Sequence, residues 1–240
     1  MSGHSKWNNI KGRKEKSDAE RSKIFTKVGR EIMVAVKEGG PNIDSNSKLK
    51  MAIAKARQYN MPNDRINNII KKNSEVDNSN FVEQTYEGYG IGGVAVVVKC
   101  FTDNKNRTSS DVRYAFDKFG GSLGSSGCVS YLFDNKGVIV VEKNDKFDSD
   151  SAMELAINEN ATDCEEDEVF TIYTEPSANA VNDMVSAFEN AGYTILSSGV
   201  EMLPQNYVTL DEHKRETFDK MIDKLNESDD VIDVIHNLEE

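Results

Sequence analysis

Residues 138–173 read VIVVEKNDKFDSDSAMELAINENATDCEEDEVFTIY, and the order of elements in this stretch sets the fold class. A strand is expected at 138–142, a helix at about 149–158, a strand near 163–167 and another at 169–173. The chain continues with a helix over 177–190 and a strand over 194–203. The resulting order, βαββαβ, is that of a split-βαβ or ferredoxin-like unit. The tail then offers a strand at 206–210, a helix at 211–226 and a strand at 231–235. A fragment of that size cannot bury its apolar face alone, so it is expected to complete a sheet begun earlier.

That earlier sheet is expected within 81–133. Val94 to Val98 is a short β-branched run, and a helix follows with Val112, Ala115, Phe116 and Phe119 on one face. Thr108-Ser109-Ser110-Asp111 supplies the capping signal for that helix. Gly120 to Gly127 is a glycine-serine loop, and Cys128 to Phe133 reads as a strand. The expected fold class is therefore α+β with three domains. A discontinuous α/β domain (81–134 plus 205–240) carries the ferredoxin-like domain (135–204) as an insertion.

The remaining domain, 1–76, reads as three helices. Ser17-Asp18-Ala19-Glu20 fits a capping box. Ile24, Phe25, Val28, Ile32 and Val36 recur at helical spacing until Gly39-Gly40-Pro41 stops the run. A second helix over 45–59 places Leu49, Ile53 and Ala56 inward, with Asn60 at its end. Pro62 opens a third with Ile66, Ile69 and Ile70 on its apolar face. Residues 73–80 are polar and read as a linker. Residues 1–16 lack apolar periodicity and are expected to be extended or mobile until bound.

Charge separates this helical segment from the rest. Residues 1–72 hold 17 Lys/Arg against 7 Asp/Glu, whereas 73–240 hold 12 against 34, so a net +10 precedes a net −22. The whole-chain isoelectric point near 4.8 conceals the basic part. A positive unit on a negative body suits a polyanion-binding head on a soluble carrier. Solvated helix faces are the competing explanation for the same lysines.

Other functional classes find little support. Mean hydropathy is −0.58, and no stretch is long and apolar enough to span a bilayer. The N-terminus leads into charged residues rather than a secretory apolar run. Cys100, Cys128 and Cys164 are far apart and form no CxxC pair, so neither a disulfide framework nor a zinc site is indicated. A cytoplasmic protein with reduced thiols is expected. His4, His213 and His236 are scattered, no GxSxG, HExxH or kinase-type set occurs, and an enzyme is not expected. The acidic run Asp163 to Glu168 lacks the ligand alternation of a calcium loop and reads as a solvated strand connection.

Gly88-Tyr89-Gly90-Ile91-Gly92-Gly93 contains GxGxxG formally. It leads into the strand at Val94 rather than into a helix, which argues for a glycine-rich turn over a dinucleotide site. The 120–127 loop is open to the same two readings, flexible connection or phosphate contact. No cofactor, metal or small-molecule substrate is expected.

The nucleic-acid candidates gather in the basic segment. Lys6, Lys11, Arg13, Lys14 and Lys16 surround the single tryptophan, Trp7. A ring among cations suits stacking on an unpaired base while the cations neutralise phosphates, and plugging the helical core is its other use. Arg21, Lys23, Lys27 and Arg30 continue the charge along the first helix. Lys48, Lys50, Lys55, Arg57, Arg65, Lys71 and Lys72 extend it over the next two. Arg107, at the start of a helix in the acidic body, is a further anion candidate. An anionic membrane surface is disfavoured, because the helices lack a large aromatic apolar stripe.

At these residues the chain resembles the YebC family. The resemblance rests on Gly3-His4-Ser5-Lys6-Trp7, Ile10-Lys11, Ile24-Phe25-Thr26-Lys27 and Asn60-Met61-Pro62-Asn63-Asp64-Arg65-Ile66. Tyr86-Glu87-Gly88-Tyr89-Gly90, Asp103 to Thr108 and Gly120-Gly121-Ser122-Leu123-Gly124 extend it through the chain. Ile91 departs from the pattern, standing where the family often has proline. The family includes bacterial proteins described as probable transcriptional regulators and the mitochondrial translational activator of cytochrome oxidase. The resemblance implies three domains in a cleft-like arrangement, a cytoplasmic location and a non-catalytic role in gene expression. DNA-binding transcriptional control is the first expectation. The alternative is a ribosome-associated translation factor that binds rRNA or tRNA and relieves stalling at difficult sequences such as proline runs. Two physical points leave that alternative open: no recognition-helix signature is visible, and the −22 body would be repelled by long bare duplex.

Overall fold

The computed structural model describes residues 18–75, 80–145 and 147–239. Helix α1 (Asp18–Gly39) presents Val28, Ile32, Ala35 and Val36 inward, and Gly40 at φ +80 ends it. Asn46 then does two jobs while almost fully buried. Its Oδ1 accepts from the Leu49 amide (3.0 Å), capping α2 (Ser47–Gln58), and its Nδ2 donates to the carbonyls of Ala35 (2.7 Å) and Gly40 (2.8 Å). Asn60, at φ +59, turns the chain out of α2. The Pro62 carbonyl accepts from the Arg65 and Ile66 amides to start α3 (Asn63–Glu75). Val28, Ile32, Leu49, Ile53, Met61 and Ile66 form the shared core. Each such aliphatic side chain contributes about 1.5–3 kcal/mol on burial. Residues 73–75, expected in a linker, continue α3, and 76–79 lie outside the described residues.

A strand that the sequence reading did not anticipate follows. β1 (Val82–Tyr89, VEQTYEGY) pairs antiparallel along its whole length with β2 (Ala95–Thr102), from Val82↔Thr102 to Tyr89↔Ala95. Most of β1 is polar because much of it faces solvent, so it lacks the apolar run that marks β2. The glycine-rich turn between them contains a single 3₁₀ turn, Ile91–Gly93.

Helix α4 (Lys105–Lys118) starts three residues before the expected capping signal. Asn104 is the cap, its side chain accepting from the Arg107 amide at 3.0 Å, while Thr108 is fully buried inside the helix. The 120–127 loop is not merely a flexible connection, because its Ser122–Leu123 pairs with β1 as β3. Close approach requires the glycines there. A Cβ on Gly88 would lie 2.5 Å from the Ser122 carbonyl oxygen, and one on Gly121 would lie 2.7 Å from that of Tyr89.

Cys128 to Leu132 is not a strand either. The Glu87 carboxylate accepts from the amides of Gly127 (2.9 Å), Val129 (3.0 Å) and Ser130 (2.9 Å), so a side chain satisfies donors that a ladder would have used. Regular pairing resumes with β4 (Phe133–Val141). Then come α5 (Ser149–Asn158), β5 (Asp163–Glu166), β6 (Phe170–Thr174), α6 (Ala178–Asn190) and β7 (Ile195–Pro204). Their sheet is antiparallel, ordered β5-β6-β4-β7, so each helix joins strands that have one other strand between them. Its main core holds Ile139, Phe170, Ile172, Met184 and Phe188.

The tail returns to the first sheet. Helix α7 (Glu212–Asn226) leads to β8 (Val231–His236), which pairs antiparallel with β2 and gives the order β3-β1-β2-β8. Residues 206–210 form no strand. Val208 makes one parallel bridge to Leu238, beyond the end of β8. The fold is thus mixed α+β, with seven helices and two antiparallel sheets among the described residues.

Both sheets end on a strand that meets the helical segment. α1 packs against β8 and α2 against β7, which shields edges that would otherwise offer unpaired groups to other chains. Met51 of α2 reaches the core of the second sheet.

Candidate nucleic-acid interface

Lys6, Trp7, Lys11, Arg13, Lys14 and Lys16 lie outside the described residues, as does Ser17 of the expected capping box. Lys71 and Lys72 are exposed on α3, and the other ten candidates sort into three environments.

The first is internal. Arg30, on α1, donates to the Phe101 carbonyl (2.6 Å), pairs with Asp230 (3.1 Å) and lies over the Phe81 ring. Asp230 is 4% exposed and stands just before β8. Arg107 contacts the same carboxylate through Nη2 at 2.6 Å and Nε at 3.2 Å, and reaches Asp103 at 2.9 Å. The hydroxyls of Thr102 (3.1 Å) and Thr108 (3.0 Å) also point to Asp230 Oδ2. Burial alone would raise the pKa of this carboxyl. Hydrogen bonds from Arg107, Thr108 and Thr102, with the charge of Arg30, outweigh burial and hold it below the usual carboxylate value. Two expected phosphate ligands thus neutralise one buried acid, joining α1 to the first sheet. Lys27, beside them, hydrogen-bonds Asn226 on α7, and burial lowers its pKa.

The second environment is the seam between α1 and α2. Lys48 pairs with Glu38 at 2.6 Å and Lys55 with Glu31 at 2.7 Å. Both partners shift by seven residues, so the two pairs lie two turns apart on antiparallel helices. Burial would lower the Lys55 pKa, but the Glu31 carboxylate overrides it and raises the value. These lysines hold helices together.

The third environment is open. Lys50 and Arg57 are exposed on another face of α2 and form no ion pair among the described residues. They line one side of a groove of about 560 Å³ between α2, α6 and β7. Asn182, Ser186 and Glu189 of α6 line the opposite wall, and Ile53, Val185 and Ile195 are apolar parts of the lining. Ser47, at the start of α2, closes one end of this contact by bonding Asn179 and accepting from Asn182 Nδ2 at 3.0 Å. Arg21 and Lys23 are exposed on α1, and Arg65 of α3 lies over the Phe25 ring at 5.2 Å.

Sequence reasoning missed Asp230 and Glu87, because their partners are remote and no local spacing marks them. The α6 wall did carry a signal. Residues 182, 186 and 189 fall at helical spacing on one face. Among the described residues no group of three His, Cys, Asp or Glu side chains is placed to hold a metal ion, and no helix is long and apolar enough to cross a membrane. The acidic run at 163–168 includes β5, where Glu166 pairs with Lys143 at 2.8 Å.

Comparison with known proteins places these features in a family. A model of the TACO1/YebC N-terminal domain matches residues 5–76, and a model of the TACO1/YebC second and third domain matches residues 81–238. A probable transcriptional regulatory protein of Acetivibrio thermocellus is 52% identical over 99% of this chain and 98% of its own length. One from Clostridium acetobutylicum is 50% identical, covering 100% of this chain and 97% of that protein. The crystal structure of a conserved hypothetical protein from Aquifex aeolicus superposes with a TM-score of 0.79 at 42% identity, over 93% of this chain and 92% of that one. With matches along nearly its whole length, the chain belongs to the TACO1/YebC family.

Proposed function

We propose that the protein is a non-enzymatic regulator of transcription that binds nucleic acid, DNA in the first instance, through its basic helical segment. One observation carries this reading. Residues 1–72 carry a net +10 against −22 for the rest of the chain, and among the described residues of this segment Lys23, Lys50, Arg57, Arg65, Lys71 and Lys72 are exposed. Exposed cations on a helical head are the means of neutralising phosphates, and each phosphate contact releases counterions. The names of the relatives from Acetivibrio thermocellus and Clostridium acetobutylicum support a regulatory role.

In this reading the three units act as domains, 1–76, 81–134 with 205–240, and 135–204, working in the cytoplasm. Arg30, Arg107 and Lys27 set the position of the head, Lys48 and Lys55 join its first two helices, and the exposed cations and the segment before α1 meet the target. Crosslinking the protein in cells and sequencing the attached nucleic acid tests the assignment. Promoter DNA with a shared sequence is the expected result. Ribosomal RNA in excess would overturn the transcriptional reading in favour of a role in translation.

A further inference from the structure

We infer that the groove between α2, α6 and β7 binds a single strand of nucleic acid, with phosphates on the α2 wall and base edges on the α6 wall. The inference deepens the proposed function and rests on it. Lys50 and Arg57 differ from the other helical-segment cations beside them on α2, since Lys48 and Lys55 are engaged with α1. At 1.5 Å per residue, their positions lie about 10 Å apart along the helix, a spacing that suits successive contacts to one backbone.

The facing wall supplies a different chemistry. Glu189 is exposed and acceptor-only, Ser186 donates to the Asn182 carbonyl at 2.8 Å, and Asn182 keeps its Oδ1 after one amide hydrogen goes to Ser47. A carboxylate accepts from the exocyclic amine of cytosine or adenine, whereas thymine and uracil carry a carbonyl acceptor at that position. Between the walls, the half-buried Val185 and Ile195 provide apolar surface for a base. A volume of about 560 Å³ accommodates a nucleotide or two of one strand. The acidic setting acts in the same direction. Residues 135–204 carry 3 Lys/Arg against 15 Asp/Glu, so a second phosphate backbone would meet repulsion.

The test uses the full chain with labelled single-stranded oligodeoxycytidine, oligothymidine and a mixed-sequence duplex, followed by fluorescence anisotropy over a salt series. Wild type is expected to prefer oligodeoxycytidine over oligothymidine by about tenfold. Lys50→Ala with Arg57→Ala is expected to weaken single-strand binding about tenfold and to flatten its salt slope by about 1.4, at roughly 0.7 per phosphate contact. Duplex binding, which also draws on Lys23, Arg65, Lys71 and Lys72, should weaken less than single-strand binding. Glu189→Ala should bring the cytosine-to-thymine ratio close to one without weakening oligothymidine binding. Because all three positions are exposed, unchanged thermal melting shows that the variants remain folded. Single-strand affinity and slope unaffected by the double substitution, while wild type still binds nucleic acid, would overturn the groove and leave the proposed function standing. No binding of wild type to any of the three probes at low salt would overturn both.

Discussion

Lys55 and Lys50 lie five residues apart on the same helix and have opposite fates. Lys55 is bound to Glu31 in the seam with α1. Lys50 opens onto a groove with no ion pair among the described residues. The contrast extends to the arginines, since Arg30 is 16% exposed against a buried acid whereas Arg57 shares the groove with Lys50. A basic composition therefore does not translate into a basic binding face residue by residue. Part of the charge is consumed in holding the head on the body, and only the remainder is available to a partner.

The contrast predicts a ladder of effects. The largest is expected at Asp230, because Asp230→Ala leaves Arg30 and Arg107 without their shared acid in a buried site. Breaking a buried pair in this way costs about 3–5 kcal/mol, measured by chemical denaturation. A loss below 1 kcal/mol would show that the junction does not depend on this carboxylate. Glu87→Ala comes next, as it strips three backbone donors of their acceptor. A loss of about 2–3 kcal/mol is expected, with increased amide exchange at Gly127, Val129 and Ser130 as the local signature.

Both carboxyls also set an acid limit. The folded-state pKa of each lies below its ordinary value, for Glu87 because three amide donors outweigh its burial. Their stabilisation is therefore complete above the ordinary carboxylate range, about pH 4, and is lost as pH falls below it. Melting temperature is expected to be flat through the weakly acidic range and to drop below it. In Asp230→Ala the drop should be shallower. An identical acid profile in the variant would remove Asp230 from the explanation.

The smallest effects sharpen the opening contrast. Lys55→Ala is expected to cost about 0.5–1 kcal/mol, discounted for its partial exposure. Lys50→Ala and Arg57→Ala should stay within about 0.5 kcal/mol of wild type while changing nucleic-acid affinity. Equal stability losses at positions 50 and 55 would erase the distinction between seam and groove.

Much of the fold was legible because it is written in local periodicity. Ile32 and Val36 mark α1, the β-branched run at 94–98 marks β2, and the βαββαβ order announces the second sheet. The return of the tail to the first sheet followed from a fragment too small to bury its own apolar face. Where the reading failed, a distant group had supplied what local signals suggested otherwise. Glu87 took the amides that would have made 128–132 a strand, Asn104 capped α4 ahead of Thr108, and β1 paired although three of its eight residues look to solvent. The groove was less legible than the fold. Lys50 and Arg57 were visible as cations, but their facing wall comes from α6, more than a hundred residues later in the chain.

By itself, the sequence determined that this protein has a cationic helical head and an acidic α+β body, because composition and periodicity are properties of neighbouring residues. Tertiary structure decided which cations remain available. Whether an arginine meets phosphate or a buried acid depends on what the fold brings to it, and Asp230 reaches Arg107 across 123 residues of chain.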